Sequence, residues 1–214
     1  NLIKNQMQNE VDNNVCVSFT SIKNKIIYLD LSGINYSELL PTDIECFKNL
    51  RSLDISGVKL DSVPRINTNS LFWISFKNCK LKSLNGAEQL KGVNTLLFKS
   101  NNFGALEINN NLHINISDLR INSCNLTSFK FIRPEIYINL RILDLSSNYS
   151  LSKLDSSIYN LPVLENLDIS DTKIDKINLK LFKKLKILFV NEEFKNDSVF
   201  INQEKSCDFR VEYR

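Results

Sequence analysis

Residues 140–148 read LRILDLSSN, in which leucines at 140, 143 and 145 are followed by an asparagine at 148. Three other stretches have closely similar sequences: YLDLSG at 28–33, SLDISG at 52–57 and NLDISD at 166–171. Aligned on the pattern LxxLxLxxN, with other apolar residues allowed in place of Leu, the chain contains eight segments, which begin at residues 26, 50, 71, 93, 116, 140, 164 and 185. An internal repeat therefore decides the fold.

The segment starts are 21 to 24 residues apart, within the spacing of roughly 20 to 29 residues that is typical of leucine-rich repeats. Over about three quarters of its length the chain resembles that family. The resemblance implies an α/β solenoid in which each repeat adds one short strand to a parallel concave sheet. We expect about eight strands there, with short helical or 3₁₀ turns on the convex side.

We expect a single domain made of a cap at 1–25, eight repeats at 26–190 and a second cap at 191–214. Terminal repeats lack a neighbour, so their apolar faces need cover. Alternating apolar residues predict a capping strand near each end: Val15, Val17 and Phe19 at the start, and Phe209, Val211 and Tyr213 at the end. The asparagine run at 109–111 predicts an exposed turn.

The ninth position of each repeat usually holds an asparagine in this family, and its side chain hydrogen-bonds the backbone of the turn. Here Asn101 and Asn148 follow the rule, whereas Cys79 and Cys124 depart from it and are expected to pack as small apolar residues. The other departures are Ile34, Val58, Thr172 and Glu193. The hydrogen-bond ladder is therefore incomplete, and some turns must be satisfied in another way.

Composition and charge exclude several classes of protein. A formal charge of +3 without dense Lys/Arg runs argues against nucleic-acid binding, and the apolar stretches are too short for a membrane span. Asn, Ile and Lys make up about a third of the residues. In this the chain resembles proteins of AT-rich genomes, such as those of microsporidia and other intracellular parasites.

The sequence offers little for catalysis, and we expect no enzyme, cofactor or metal site. His113, the single histidine, falls on the outer turn before the fifth strand, whereas Cys124 points inward, so the two are not expected to pair. Carboxylates recur at one strand position and could be an acid/base pair. We interpret them instead as the structural aspartates of the family's LDLS motif: Asp30, Asp54, Asp144 and Asp168.

The five cysteines include no CxxC pair, which excludes zinc-ribbon and thioredoxin-type sites. If the protein is secreted, Cys16 and Cys46 can form a disulfide. Cys207 is then left as a free thiol or an intermolecular link.

The resemblance implies that partners bind on the concave sheet, where most repeats carry generic Asp, Ser and Gly. Repeats three to five differ, with the outward residues Phe72, Trp73, Ser75, Lys77, Thr95, Leu97, Lys99, Asp118, Arg120 and Asn122. Aromatic and cationic side chains on one surface favour a protein interface. The alternative is that Trp73 only covers a neighbouring strand residue, and a second candidate surface is Ile142, Ile187 and Phe189.

We therefore expect a monomeric, non-enzymatic module that binds a protein partner. The chain begins at Asn1 without Met, so we expect that either a signal peptide or another part of the expressed sequence has been removed. The missing Met, the cysteine in the first cap and the composition together favour a secreted protein that acts between pathogen and host. The alternative is an intracellular scaffold, similar to the leucine-rich-repeat regulatory subunits of phosphatase or ligase complexes. An apolar signal segment before Asn1 would discriminate between the two.

Overall fold

The computed structural model describes residues 18–22, 25–31, 47–66 and 70–214, which contain twelve strands. The strands of the large sheet are β1 Ser18–Ile22, β2 Lys25–Asp30, β3 Ser52–Ser56, β4 Trp73–Lys77, β5 Thr95–Lys99, β7 Asp118–Asn122, β9 Ile142–Asp144, β10 Asn166–Asp168, β11 Ile187–Val190 and β12 Arg210–Tyr213. A separate small sheet contains β6 Ala105–Ile108 and β8 Ser128–Phe131.

The large sheet follows the order of the repeats. Nine of its strands, from β2 to β12, are parallel, and β1 pairs antiparallel with β2 at one edge. All eight strands predicted from the repeat are present, which confirms the solenoid. The strand predicted around Val211 is β12, and Phe19 lies in β1, whereas Val15 and Val17 lie outside the described residues.

The register explains why the repeat specifies this sheet. The fourth residue of every repeat pairs with the fourth residue of the next, so one apolar side chain per strand forms a continuous inward row: Leu29, Leu53, Ile74, Leu96, Leu119, Leu143, Leu167, Leu188 and Val211. All except the half-buried Val211 are buried. Each such side chain contributes about 1.5–3 kcal/mol by leaving water.

A second inward row, two residues further along each strand, holds two of the largest side chains of the core. Phe76 and Phe98 occupy it on neighbouring strands, with stacked rings whose centroids are 5.5 Å apart. Phe103 meets Phe98 edge to face at 5.6 Å. Such pairs add about 0.5–1.5 kcal/mol to the effect of burial, so these rings reinforce the core beneath β4 and β5.

The convex side contains the short helical segments that the sequence predicts. They are the 3₁₀ helices Ala87–Gln89, Pro134–Ile136 and Leu179–Leu181, and the α-helix α1, Ser156–Tyr159. Asp155 caps α1 by accepting a hydrogen bond from the backbone N–H of Ser157. Gly86 precedes the first 3₁₀ helix with a φ of 97°, and a Cβ there would lie 2.1 Å from the carbonyl oxygen of Val63. That turn therefore requires glycine.

Two convex segments are strands instead of helical turns. β6 and β8 pair in parallel, and each buries every second residue: Leu106 and Ile108 on one, Phe129 and Phe131 on the other. This two-residue alternation is the pattern of a strand with one covered face. The exposed turn predicted at 109–111 follows directly, with Asn109 exposed.

The chain after β11 forms the 3₁₀ helix Glu192–Asn196 and a second α-helix, α2, Ser198–Glu204, before it enters β12. Asp197 caps α2 and accepts hydrogen bonds from the backbone N–H groups of Val199 and Phe200. No helix among the described residues is long and apolar enough to cross a bilayer.

Candidate functional site on the concave sheet

The concave face is built from the outward residues that alternate with the inward rows. Its central row runs across all nine parallel strands and consists of Asp30, Asp54, Ser75, Leu97, Arg120, Asp144, Asp168, Phe189 and Glu212. The aspartates stand toward the ends of this row, and β4, β5 and β7 carry other chemistry. The departure from the generic pattern is therefore concentrated in the middle of the sheet, with a further one at Phe189 on β11.

The register brings together six of the residues predicted to bind a partner, and we call them the concave patch: Trp73, Lys77, Leu97, Lys99, Asp118 and Arg120. Lys77 lies beside Lys99, and Leu97 lies beside Arg120. Phe72 does not belong to the strand face as predicted, because it lies one residue before β4, where the chain enters the sheet. Its side chain is 53% exposed at the rim.

Trp73 is half-buried, and its neighbour two residues along, Ser75, is fully buried although it faces the concave side. Among the described residues the hydroxyl of Ser75 has no hydrogen-bond partner. Neighbouring side chains therefore cover the sheet at this point. This favours a covering role for part of Trp73, the alternative that the sequence left open, with the rest of the indole accessible.

Two ion pairs organise the charges of the concave patch. The ammonium Nζ of Lys77 lies 2.5 Å from Oδ2 of the buried Asp54 on the preceding strand. Arg120 forms a bidentate pair with Asp118, two residues earlier on β7, with both N–O distances at 2.9 Å. The hydrogen bond to Asp118 raises the pKa of Arg120, and the bidentate geometry fixes the orientation of its guanidinium.

The recurring aspartates have the structural role that their motif predicts. In each of three strands one carboxylate oxygen accepts a hydrogen bond from the serine hydroxyl two residues later, at 2.9, 2.6 and 2.5 Å: Asp54 with Ser56, Asp144 with Ser146, and Asp168 with Ser170. Burial raises the pKa of Asp168. The second oxygen of each carboxylate accepts a hydrogen bond from a more distant side chain. The donor is Lys77 for Asp54, Asn122 for Asp144 and Arg214 for Asp168.

The second candidate surface lies at the other end of the sheet and contains a cavity of about 190 Å³. Ile142 and Phe189 line it, together with the carboxylates of Asp144 and Asp168. The guanidinium of Arg214 lies 3.8 Å from the centre of the Phe189 ring and pairs with Asp168 at 2.7 Å. Sequence reasoning missed Arg214, because nothing local indicates contacts with residues so far away in the chain. Ile187, the third predicted residue, is half-buried on β11.

The turns under the concave patch are held by the predicted ladder of asparagines. The side-chain oxygen of Asn101 accepts from the backbone N–H groups of Cys79 and Leu81, and its amide donates to the carbonyl of Phe76 at 2.9 Å. Asn148 makes the equivalent bonds two repeats later, where its side-chain oxygen accepts from the backbone N–H groups of Cys124 and Leu126.

Cys79 and Cys124 do more than pack as small apolar residues. Each thiol lies within 3.4 Å of two backbone carbonyls, those of Ile55 and Lys77 for Cys79 and those of Phe98 and Asn122 for Cys124. Burial raises the pKa of Cys79 to about 11 and that of Cys124 to about 12. Both thiols therefore stay protonated at neutral pH and serve the turn as weak donors.

The remaining cysteines and the histidine offer no catalytic arrangement in the described part of the chain. Cys207 is a free, half-buried thiol, and the proposed partners Cys16 and Cys46 lie outside the described residues. His113 accepts a hydrogen bond at Nδ1 from the backbone N–H of Asn115, and burial lowers its pKa. Within the described residues no cluster of His, Cys, Asp and Glu could hold a metal ion.

Two known proteins are similar to this chain in sequence. The chain is 25% identical over 130 residues to Receptor-like protein 7 of Arabidopsis thaliana, which covers 60% of this chain and 13% of that protein. It is 26% identical over 193 residues to the human oligodendrocyte-myelin glycoprotein, which covers 89% of this chain and 41% of that one. The chain thus spans less than half the length of either relative.

A solved structure shares the fold. The structure of a leucine-rich-repeat protein of Leptospira interrogans superposes on this chain with a TM-score of 0.51 and 21% identity. The superposition covers 100% of this chain and 57% of that protein. No protein-family model matches the sequence.

Proposed function

We propose that this chain, which has the fold of a leucine-rich-repeat solenoid, is a non-enzymatic module that binds a protein partner on its concave sheet. The observation that carries the proposal is the register of β4, β5 and β7, which collects an indole, an exposed part of a leucine and three cations on one open surface. Trp and Arg are the side chains that most often dominate binding energy at protein interfaces. Phe72 at the rim extends the same surface.

The size of the sheet supports a macromolecular partner. Nine parallel strands spaced by about 4.8 Å extend over roughly 38 Å, and a strand of five residues is about 16 Å long. The face therefore covers about 600 Å² in projection, and its accessible area is larger. A standard interface needs about 800 Å² from each partner, so this face is large enough for one.

The chemistry of the thiols also supports binding over catalysis. A nucleophilic cysteine needs a lowered pKa and access to substrate, whereas Cys79 and Cys124 are buried with raised pKa values.

We propose that the module is a monomer and has no cofactor. Sedimentation of the purified protein tests the first statement.

We further propose that the module acts outside the cell, on a protein of a host organism. The names of the two relatives, a receptor-like protein and a glycoprotein, support an extracellular location for this chain too. The asparagine-, isoleucine- and lysine-rich composition supports a parasite source. Recovery of the full-length product from culture medium, with a Cys16 to Cys46 disulfide visible on a non-reducing gel, would support secretion, and retention in the cytosol would favour the intracellular scaffold.

Affinity capture with matched variants tests the binding surface. Wild type is compared with Trp73→Ala/Lys99→Glu and with a control that carries Ile132→Ala/Lys153→Glu, one apolar residue and one lysine that are exposed in the return segments. We expect wild type and the control to retain the same identified partner, and the concave variant to lose at least about 90% of it. Circular dichroism confirms that all three proteins fold. Equal recovery by both variants would remove the concave patch as the binding surface.

A further inference from the structure

Charge is distributed unevenly along the solenoid. Residues 47–104, which contain β3, β4 and β5, carry nine Lys and Arg against three Asp and Glu, a net charge of +6. Residues 105–214 carry fifteen of each sign and are neutral overall. The small formal charge of the whole chain, +3, therefore hides a strongly basic block, and that block contains four of the six residues of the concave patch.

Five lysines of this block lie at or just beyond the carboxyl-terminal ends of β3, β4 and β5, and we call them the lysine edge: Lys59, Lys77, Lys80, Lys82 and Lys99. All except Lys77 are exposed. Lys77 is bound to Asp54 at 2.5 Å, which uses the second oxygen of that carboxylate. The other four form no ion pair with any carboxylate in the described part of the chain.

Two members of the lysine edge are direct neighbours, since Lys77 and Lys99 are register partners on β4 and β5. Like charges that face each other across adjacent strands are destabilising, and Asp54 neutralises only one of these two. The sheet thus keeps an unbalanced positive charge at its edge, which an anionic group on a binding partner would relieve.

Apolar surface adjoins the lysine edge and narrows the class of partner. Leu97 lies on β5 two residues before Lys99, and Trp73 lies on β4 four residues before Lys77. Both are partly exposed. A polysaccharide or a nucleic acid would use the cations but carries no aliphatic side chain to cover Leu97, whereas a polypeptide with both carboxylates and apolar side chains would use both.

We propose that the partner presents an extended acidic peptide segment that crosses β3, β4 and β5, with its Asp and Glu carboxylates at the lysine edge and an apolar side chain beside Leu97. The proposal deepens the proposed function and rests on it. A segment of about six residues, rising about 3.3 Å per residue, spans the three strands and their flanks. Its association is steered by charge, so binding weakens as salt increases.

The test uses three fluorescein-labelled probes. The first is an acidic peptide of about ten residues in which Glu alternates with Leu and Gly. The second is a matched peptide with Lys in place of Glu, and the third is a heparin-derived oligosaccharide. The edge variant is Lys80→Glu/Lys82→Glu/Lys99→Glu, which spares the Lys77–Asp54 pair. The control is Lys173→Glu/Lys176→Glu/Lys180→Glu, three exposed lysines of a later repeat. Both variants change the total charge by the same amount, so overall charge cannot account for a difference between them.

We expect the acidic peptide to bind wild type and the control alike by fluorescence anisotropy, with Kd weakened about tenfold or more in the edge variant. Raising salt from about 50 to about 300 mM should weaken binding to wild type. Absence of binding by the acidic peptide, equal loss in both variants, or heparin binding more tightly than the peptide would overturn the proposal. If the edge variant still captures the identified partner and Trp73→Ala/Lys99→Glu does not, the concave function stands and the acidic segment is wrong.

Discussion

The turns after β4 and β7 are built around a cysteine, whereas those after β5 and β9 are built around an asparagine. In the asparagine turns one amide oxygen accepts two backbone N–H groups of the preceding repeat, as Asn148 does for Cys124 and Leu126. A thiol has no such strong acceptor. In the cysteine turns the backbone N–H groups of Leu60 and Phe103 instead donate to the main-chain carbonyls of Cys79 and Cys124, at 2.9 and 3.0 Å.

Both turn types hold the residue before the ninth position at a positive φ, Asn78 and Ser123 before the cysteines and Ser100 and Ser147 before the asparagines. The cysteine turns add a second such residue, and this is their extra conformational cost. The residue after each cysteine, Lys80 or Asn125, has a positive φ of 56° or 54°, whereas Asn102 and Tyr149, which follow the asparagines, do not. A left-handed conformation costs most L-residues roughly 1–2 kcal/mol. The two turn types thus bind the preceding repeat by different routes, one through an amide oxygen and the other through a main-chain carbonyl, and together they hold the strands that carry the concave patch.

Removal of an asparagine should have the largest effect. Asn148→Ala leaves two buried N–H groups without an acceptor and removes the amide's donation to the carbonyl of Ile121 at 2.7 Å, so we expect a loss of about 3–4 kcal/mol of unfolding free energy. Cys124→Ala removes only weak thiol bonds and should cost about 1 kcal/mol. Urea unfolding measures both variants. Equal costs would show that the two turn types depend on the side chain to the same degree.

The pH dependence of stability should separate the thiols from the amides. Burial raises the pKa of Cys79 to about 11 and of Cys124 to about 12, from 9.0. Above pH 9 the unfolded chain releases these protons while the folded chain keeps them, so stability is full below pH 9 and is lost as pH rises toward 11. The expected loss is about 1.4 kcal/mol per pH unit for each thiol, or about 2–3 kcal/mol near pH 10.

The contribution of the thiols is measured as a difference, because burial also raises the pKa of Tyr137, to about 12. Urea midpoints of wild type and Cys79→Ala/Cys124→Ala are compared between pH 7 and pH 10. We expect the double variant to show a clearly flatter decline. Parallel declines in the two proteins would mean that the buried thiols ionise as readily as in the unfolded chain.

The repeat predicts the fold well because its signal is the inward side chain itself. The spacing of three and then two residues places Leu143 and Leu145 on the buried face in any parallel stack, and the eight predicted strands follow from that spacing. β6 and β8 were missed, since an alternation over four residues, as in ALEI and SFKF, is too short to distinguish from an irregular return segment.

The sequence predicts which residues belong to the candidate site, but not which contacts they make. Period-two alternation identifies Leu97 and Arg120 as outward residues, but the pairing of Lys77 with Asp54, 23 residues earlier, depends on register. The contact of Arg214 with Phe189 depends on where β12 joins the sheet. In the cysteine turn after β4, the direction of the Cys79 carbonyl, which takes the place of an asparagine oxygen, depends on the positive φ of Lys80. A lysine gives no local signal of a left-handed conformation.

The smallest effect should have the opposite sign. Lys80→Gly removes the strain of a positive φ from the folded state, and it also makes the unfolded chain more flexible. Because the first effect on the unfolding free energy is the larger, we expect stabilisation by about 0.5–1 kcal/mol. Asn102→Gly, at the equivalent position of an asparagine turn, where φ is not positive, should destabilise by a similar amount. Asn125→Gly should change stability less than Lys80→Gly, because asparagine tolerates this conformation better. Urea midpoints rank the three variants. Destabilisation by Lys80→Gly would show that the cysteine turn does not hold residue 80 under strain, and that the two turn types differ only in the side chain.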